Sequence, residues 1–496
     1  MKLGPLNISW GDASPRQRAI VLPSMTTKRS FADITNASAA LSDWILSDSH
    51  TNEKLRSSLP KLRKMCRGLE ESNPYFRRFL SEWVANVIGP DGFKLQSQVA
   101  FVNGRADENK RLLIEDTYRE WCEEPTAWAS GMCYVEGAQL CERAVVRDGM
   151  AFVRLLRNYR GNRFGFALQL VDASYLDLEI NGRNIHLGVE VDAYGRPIAY
   201  YLQGQHGGED VINMGGRKVV RVRAEDMLCR MYRERPEQMA GIPMAVAAIT
   251  GLRHLERYEE AEVVAARVAA CSSVAFEREF PEEFTGEDGS NPLAEMELAP
   301  GGILTPPHGY KATMLTPNHP HTAFGDFRKG MLRGAAAAAN IPYSRIAADA
   351  SDANYSSMRE DRLQATDIYK THQACVIKQM ERPVFEAWLE IQLLGNRLPF
   401  GMAMWSTVRR ARWQGRGWDW VDPQKEITAI EKALQLGLTS RKRELMKKGI
   451  DMDELDREIE DDPNHPKQQA PPAPLQSVAP DDDEEDDDME EEDAVA

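Results

Sequence analysis

The sequence lacks the features that mark secreted, membrane-spanning and metal-stapled proteins. Its seven cysteines are scattered through 496 residues, their number is odd, and no two have C-x-x-C spacing. This pattern fits a reducing compartment and argues against a disulfide framework or a zinc ribbon. No stretch approaches about 18 apolar residues without a charge, so the sequence predicts no membrane span. The N-terminus has no apolar segment of the kind found in signal peptides.

Catalytic signatures are also missing. The motifs G-x-S-x-G, H-E-x-x-H and G-x-x-x-x-G-K-[ST] do not occur. His308, His319 and His321 lie close together, but this stretch is rich in proline and has no cysteine or carboxylate partner, so we interpret them as exposed loop residues rather than metal ligands. We therefore predict a protein that is not an enzyme and that uses neither a cofactor nor a metal.

The acidic balance of the chain is concentrated near its C-terminus. The net charge is −15, and 12 acidic groups with no basic group lie in 481–493, so the rest of the chain sums to −3. Like charges at this density repel one another, which predicts a disordered, solvated tail over 461–496. Residues 463–480 are rich in Pro, Gln and Ala, which is typical of a linker.

Helical and strand patterns alternate in the first half of the chain. An amphipathic pattern from Ser58 to Val87 is interrupted at Asn73-Pro74, and residues 107–136 predict two further helices. Strands are then predicted at 151–156, 166–171, 187–191, 198–202, 219–222 and 227–231, with a hairpin turn at 192–197.

A long helical run opens the second half. Between 242 and 276 proline occurs only at Pro243 and glycine only at Gly251, which predicts one helix of about 52 Å. Prolines and glycines at turn spacing then predict a small β element over 280–322. An alanine-rich helix is predicted over 325–340.

A second long helix is predicted after a loop. Ser357 and Glu360 form an S-x-x-E capping box, which predicts a helix from Met358 to about Leu394. Pro383 should kink this helix, because proline lacks the amide hydrogen and clashes with the preceding turn. Short helices are predicted over 421–460.

In this order, the chain resembles the lambda-type bacteriophage portal proteins over roughly residues 60–460. Each segment that carries the resemblance is weak alone, whereas their order and spacing together are specific. The segments are Asn73-Pro74-Tyr75 with Val87-Ile88-Gly89; Gly188-Val189-Glu190-Val191-Asp192 with Gly195-Arg196-Pro197-Ile198-Ala199-Tyr200; Leu252 to Val274; Leu298-Ala299-Pro300-Gly301; Asn354-Tyr355-Ser356-Ser357; and Val421-Asp422-Pro423 with Gly437-Leu438-Thr439-Ser440-Arg441.

The resemblance implies an α+β fold, the phage portal fold, assembled as a ring of usually twelve subunits at one capsid vertex. Double-stranded DNA passes through the channel of such a ring during packaging and ejection. The corresponding segments are an N-terminal arm at 1–55, an α+β wing at 56–241, a first stem helix at 242–276, a small β clip at 277–324, a second stem helix at 325–341, a channel loop at 342–357, a long kinked helix and wing return at 358–420, a helical crown at 421–460 and the tail at 461–496.

The resemblance also implies site residues and partners. The residues expected to face the channel and DNA are Arg328, Lys329, Arg333, Arg345, Asn354 and Tyr355. The clip residues expected to dock the terminase large subunit and the head–tail connector proteins are Pro292, Pro306, Pro307, His308 and His319. Further expected partners are copies of the chain itself, in a dodecamer, and the major capsid or scaffold protein, with no membrane contact. The location implied is the virion vertex, after assembly in the host cytoplasm.

Two other classes of function stay open from the residues alone. The chain could be a different structural protein, such as a head–tail adaptor or a capsid-associated scaffold, which would have no channel wide enough for a duplex. It could also be a nuclease, which would need a positioned carboxylate cluster for Mg²⁺. Only 481–493 is densely acidic, and a disordered tail is a poor place for positioned chemistry.

Overall fold

The computed structural model describes residues 50–101, 106–204, 211–214, 217–270, 273–278, 310–315, 324–351, 354–418, 423–448, 450 and 452–462. The predicted arm up to residue 49, most of the predicted clip and the acidic tail therefore lie outside the described residues. The same holds for the five clip residues Pro292, Pro306, Pro307, His308 and His319.

Helices dominate the described chain, as the periodicity predicts. They are α1 (Thr51–Ser72), α2 (Pro74–Val87), α3 (Glu108–Glu123), α4 (Tyr134–Asp148), α5 (Ile249–Ala270), α6 (Phe324–Ala338), α7 (Tyr343–Ala347), α8 (Tyr355–Val376), α9 (Arg382–Leu394), α10 (Trp405–Val408), α11 (Pro423–Gln435), α12 (Arg441–Lys448) and α13 (Met452–Asp461). A π-helical turn at Ile377–Glu381 joins α8 to α9.

Strands form small antiparallel sheets between these helices. They are β1 (Lys94–Ser97), β2 (Met150–Arg157), β3 (Phe166–Val171), β4 (Ile185–His186), β5 (Val189–Val191), β6 (Pro197–Gln203), β7 (Val211–Met214), β8 (Arg217–Arg223), β9 (Met227–Met231), β10 (Ser273–Arg278), β11 (Tyr310–Leu315) and β12 (Ala411–Gln414). The sheet orders are β3-β2-β9, β4-β5-β6-β8-β7, β1-β12 and β10-β11. The predicted strands and hairpin of the first half are confirmed, and the fold mixes helices and sheets.

Two apolar clusters hold these elements together. The larger joins α2, α3, α4 and α9 to one face of the three-stranded sheet, and it includes the fully buried Trp83, Trp121, Trp128 and Trp388. The smaller lies against the five-stranded sheet, where Phe152 contacts Tyr200 with ring centroids 5.1 Å apart. Bulky aromatic side chains contribute the most buried apolar area per residue, so the first cluster is the main source of stability.

The break between the first two helices is confirmed at Asn73. Its side-chain oxygen accepts a hydrogen bond from the Phe76 amide at 3.0 Å, and Pro74 occupies the first helical position. Both residues have the conformations that favour a helix start, because proline fixes φ and asparagine satisfies a free amide. The sequence pattern therefore predicts this boundary to the residue.

The helix predicted over 242–276 is wrong at both ends. The α-helix covers only Ile249–Ala270, about 33 Å, and residues 273–278 form β10. At the N-terminal end Gly241 lies against Gly149, where a Cβ on Gly241 would stand 1.9 Å from the Gly149 carbonyl oxygen. At the C-terminal end β10 pairs with β11, a partner about 35 residues away that local periodicity cannot show.

Two other boundaries also differ from the prediction. Residues 107–136 do contain two helical segments, but the second, α4, begins only at Tyr134 and runs to Asp148. Trp128 instead pairs with Met132 in a tight turn between them. The segment 342–357 is not a simple loop, since it contains the short helix α7 and the start of α8.

Candidate nucleic-acid interface

The segment between α6 and α8 is anchored to the core at two points. Ile341, before α7, and Ile346, within it, are buried, whereas the other positions of α7 are exposed or half-buried. Asn340 and Ala348 have positive φ angles of 54° and 52°, and they reverse the chain before and after this helix. The described part of this segment is therefore anchored to the core. We call it the protrusion.

A polar cluster braces the outer side of this protrusion. The Tyr343 hydroxyl donates to an Asp349 carboxylate oxygen at 3.0 Å, and the Ser351 amide donates to the other oxygen at 3.0 Å. The hydrogen bonds from Ser351 lower the pKa of Asp349 to about 2, so this carboxylate is ionised at neutral pH. Arg333 lies over the Tyr343 ring, with its guanidinium carbon 5.5 Å from the ring centroid.

Arg345 is held by its backbone while its side chain extends outward. Its carbonyl oxygen accepts a hydrogen bond from Arg78 at 2.6 Å, and its guanidinium lies 3.9 Å from Glu82. The side chain is 54% exposed, so the ion pair with Glu82 is solvated and weak. Such an arginine can turn from Glu82 to an external anion at small cost.

The other two basic residues expected on α6 are less exposed than Arg333. Arg328 lies over the Phe324 ring at 5.8 Å, and both Arg328 and Lys329 are half-buried. Lys329 is close enough to Tyr343 and Asp349 to interact with them electrostatically. The basic groups of α6 therefore lie near the acidic Asp349.

Asn354 caps α8, and the predicted capping box at Ser357 and Glu360 is wrong. The Ser357 amide donates to the Asn354 side-chain oxygen at 2.8 Å, and the Asn354 amide donates to the Ser357 hydroxyl at 3.1 Å. The helix thus begins three residues earlier, at Tyr355, because asparagine caps at least as well as serine. Asn354 has a structural role, and the Tyr355 side chain lies outside the described part of the chain.

A cleft of about 730 Å³ lies beside the protrusion, between α2, α8 and the chain at Arg416. Its charged lining is mixed: the basic residues are Arg78, Arg345, Arg359, Arg362 and Arg416, and the acidic residues are Glu82, Asp349 and Asp361. Arg78, Glu82 and Arg416 were not expected here from the sequence, because they lie far from residue 345 along the chain. Only the spacing of Arg78 and Glu82 on one helix face is a local signal, and it does not indicate the contact.

A buried polar network fixes the other end of α8. Arg230 donates to Glu142 at 2.6 Å and to Gln379 at 2.7 Å, and Gln379 also bonds both backbone groups of Met231. The π-helical turn directs Gln379 at β9 and Glu381 at Tyr134, whose hydroxyl donates to it at 3.0 Å. The sequence predicts a kink at Pro383, and the structure has this π-helical turn directly before α9, in which Pro383 is the second residue.

Burial changes the protonation of Glu381. Removal from water raises the pKa of this carboxyl to about 8, although the hydrogen bond from Tyr134 and the charge of Arg230 act in the opposite direction. Its second oxygen has no hydrogen-bond partner among the described residues. With this pKa the carboxyl is mostly neutral at pH 7, which avoids the larger cost of a buried, partly unpaired charge.

Metal and membrane sites are not found in the described residues. In that part of the chain no group of three or more His, Cys, Asp and Glu side chains could hold a metal ion. No described helix is both long enough and apolar enough to cross a bilayer.

Comparisons with known proteins identify the family. The description "Phage portal protein, lambda family" matches residues 38–373, about two thirds of the chain. A protein of Halomonas phage phiHAP-1 (isolate -/Gulf of Mexico/-/2001) named "Probable portal protein" is 30% identical over 424 residues, which cover 83% of this chain and 82% of that relative.

Chains from solved structures of gene transfer agent particles are also similar to this chain. One described as "Virion of native gene transfer agent (GTA) particle" matches with a TM-score of 0.42 and 13% identity over 79% of this chain and 93% of that chain. Another, "Neck of native GTA particle computed with C12 symmetry", has a TM-score of 0.40 and 14% identity over 79% and 94% of the two chains. On the strength of the family match and the phage relative, the chain belongs to the lambda family of phage portal proteins.

Proposed function

We propose that this chain forms a ring through which double-stranded DNA enters and leaves a phage capsid, without catalysing a reaction itself. The observation that carries the proposal beyond family membership is the helix pair α5 and α6, which pack against each other while residues 260–267 of α5 are mostly exposed. We name this pair the stem. The wing is 56–241 with 358–420, the channel loop is 342–357, and the crown is 421–460, the region of α11 to α13.

The two stem helices are joined by aromatic contacts. The Tyr258 ring lies 5.8 Å from Phe324 and 4.7 Å from Phe327, centroid to centroid. On the outer sides, Val263 and Val264 are each 51% exposed. Exposed apolar side chains on a helix pair favour association with further helices, which neighbouring subunits of a ring would supply.

Ring size sets the channel width. Twelve helices, each about 10 Å across, have a circumference of roughly 120 Å and leave a hole of roughly 28 Å. A DNA duplex is about 20 Å across, so it fits with room for water and ions. Six helices would leave roughly 9 Å and would exclude the duplex. The proposed conduit therefore requires about twelve copies.

The channel loop should touch DNA only transiently. Each neutralised phosphate adds affinity, and a ring multiplies every contact, so a strongly basic wall would retain the DNA. The mixed charge of the cleft and the solvated Arg345–Glu82 pair support weak contact. We expect salt-sensitive binding of duplexes without sequence preference, weakened by Arg345→Glu and unchanged by Arg163→Glu, an exposed wing arginine. A tight, sequence-specific footprint at physiological salt would overturn this assignment.

The clip is proposed to dock other proteins. The segment 277–324 would bind the terminase large subunit during packaging and the connector proteins afterwards, with the capsid or scaffold protein contacting the ring elsewhere. Deleting 286–292 should leave rings intact but abolish DNA packaging, measured as nuclease-protected DNA in assembled particles. Normal packaging by this variant would remove the docking role from the clip.

A further inference from the structure

A groove lies between the wing helix α1 and the stem helix α5, and we call it the stem groove. Its volume is about 420 Å³. Its floor is apolar, its rim is basic, and none of the described residues that line it is acidic. The apolar lining residues are Met65, Leu69 and Ile249, and the basic ones are Lys64, Arg253 and Arg257, with His254 beside them.

Two cations on the rim of the stem groove are available to a partner. Arg253 pairs with Glu256 on its own helix at 2.6 Å. In contrast, Lys64 and Arg257 are exposed and make no ion pair with any described residue. Met65 is 54% exposed, so the apolar wall of the groove is also open to solvent. Such a groove fits a surface that offers both an apolar and an acidic group.

The other stem helix, α6, lies on a different side of α5 from the groove. A Cβ on Gly251 of α5 would lie 3.8 Å from the Met331 side chain, and the Tyr258 ring contacts Phe327. Because each helical residue turns through about 100°, the groove residues of α5 lie about 130° around the helix from these two contacts. The stem groove and α6 therefore form two separate flanks of the stem.

The outer side of α6 carries the groups that the groove lacks. Asp326 is exposed, makes no ion pair with any described residue, and lies about 140° around α6 from Met331, which faces α5. Phe327, next to it, is 47% exposed. A Cβ on Gly330 would meet no atom within 4 Å, so a neighbouring surface can approach the backbone of α6 there.

The acidic and basic groups of the two flanks also match in height. The stem helices run antiparallel, and Tyr258 is level with Phe327, so the adjacent Arg257 is level with Asp326. Arg333, a basic residue on the outer side of α6, is about 10 Å farther along the helix and lies over an aromatic ring. All copies in a ring stand at the same height, so Arg257 of one copy can meet Asp326 of the next.

We propose that the stem groove of each copy receives the outer side of α6 from the neighbouring copy. Asp326 of one copy lies beside Arg257 and Lys64 of the next, and Phe327 covers the apolar wall at Met65. The two surfaces differ, so each copy uses one of them on either side, and the contact repeats until the ring closes. This inference rests on the proposed ring and names the surfaces that join its subunits.

The first test reverses the two charges and measures assembly of the full-length protein by analytical sedimentation. Asp326→Arg and Arg257→Glu should each raise the concentration needed for half-assembly by roughly tenfold, because each places like charges side by side. The double variant should recover most of this loss, since opposite charges meet again. Asp116→Arg and Arg119→Glu, which break an exposed pair within α3 of the wing, are the matched controls and should leave assembly unchanged.

The second test locates the contact by carbodiimide cross-linking, which joins a carboxylate to a lysine amine in direct contact. Rings are assembled from a mixture of unlabelled and ¹⁵N-labelled chains, and the linked peptides are identified by mass spectrometry. We expect a link between Lys64 of one copy and Asp326 of another, found in rings and not in single chains.

The outcomes separate this inference from the proposed conduit. Rings that lack the Lys64–Asp326 link would overturn the groove assignment and leave the conduit intact. Normal assembly of both single variants, or a double variant that assembles no better than they do, would also overturn it. A parent protein that forms no rings would contradict the conduit itself, and the subunit contact with it.

Discussion

The wing and the stem differ in where their charged side chains lie. In the wing, Arg230 and Glu142 are fully buried and paired with each other, and Gln379 and Tyr232 add further hydrogen bonds to this pair. In the stem helix α5, Arg253, Arg257 and Glu260 are exposed. The wing thus pairs its buried charges within one chain, whereas α5 exposes charged side chains to solvent.

This difference separates stability from function. A buried charge without its partner is strongly unfavourable, so the wing network favours one arrangement of α4, β9 and the π-helical turn. The channel loop follows α6, and the Arg345 carbonyl in it accepts a hydrogen bond from Arg78 of α2. It leads into α8, and the wing network fixes the other end of this helix. The rigid wing can therefore position an exposed, adaptable surface whose own contacts are weak.

Breaking the wing network should have the largest effect. Arg230→Ala leaves Glu142 buried without its cation, and we expect a loss of about 3–5 kcal/mol in the free energy of unfolding. Arg163→Ala removes a pair with Glu120 in which both side chains are more than half exposed, and it should change stability by less than about 1 kcal/mol. Denaturant unfolding followed by tryptophan fluorescence measures both. Equal effects would mean that burial does not increase the contribution of the Arg230–Glu142 pair to stability.

Adding a methyl group at Gly137 should have the second-largest effect on stability. A Cβ at this position in α4 would lie 2.1 Å from the Trp128 indole ring, which is fully buried and donates to the Tyr134 carbonyl at 3.0 Å. Gly137→Ala should therefore destabilise the wing by about 2–3 kcal/mol, although alanine is the better helix former. A neutral or stabilising result in the same unfolding assay would show that Trp128 can move aside.

The wing should also respond to pH through Glu381. Because burial raises its pKa from 4.5 to about 8, the folded state binds a proton that the unfolded state has released between these values. Stability should fall as pH rises through this window, and it should level off above it. Glu381→Gln should flatten the profile and stabilise the protein by about 1–2 kcal/mol at pH 7. The exposed Glu120→Gln is the control, and a parent profile as flat as that of Glu381→Gln would exclude the buried neutral carboxyl.

The smallest effect is expected in the stem. A Cβ at Gly334 of α6 would meet no atom within 4 Å, in contrast to Gly137. Gly334→Ala should stabilise the isolated chain by about 0.5–1 kcal/mol, because glycine is a poor helix former. Denaturant unfolding measures the stability of the chain, and analytical sedimentation measures whether the variant still assembles. Assembly lost without loss of chain stability would place a neighbouring subunit against this position.

Local signals in the sequence predicted local structure well. Asn73-Pro74 marked a helix start, and the Asp192 side chain accepts hydrogen bonds from the Tyr194 and Arg196 amides, as the predicted hairpin turn requires. The sequence prediction placed the cap of α8 three residues late. Asn354 and Ser357 are both residue types that cap helices, and the backbone conformation that makes Asn354 the cap is not visible in the sequence.

Contacts between distant residues were not predictable from the sequence. Arg230 and Gln379 are 149 positions apart, and Arg78 reaches the Arg345 carbonyl over 267 positions. Neither contact produces a repeating pattern of residues from which it could be predicted. The ends of α5 were misplaced for the same reason, because the Gly149–Gly241 approach and the β10–β11 pairing depend on partners elsewhere in the chain.

Electron microscopy of the purified protein in negative stain, with class averages viewed down the ring axis, tests the conduit most directly. The account predicts rings of about twelve subunits with an open centre roughly 28 Å wide. Monomers, dimers or a closed ring of about six subunits would contradict it, because none of these could pass a DNA duplex.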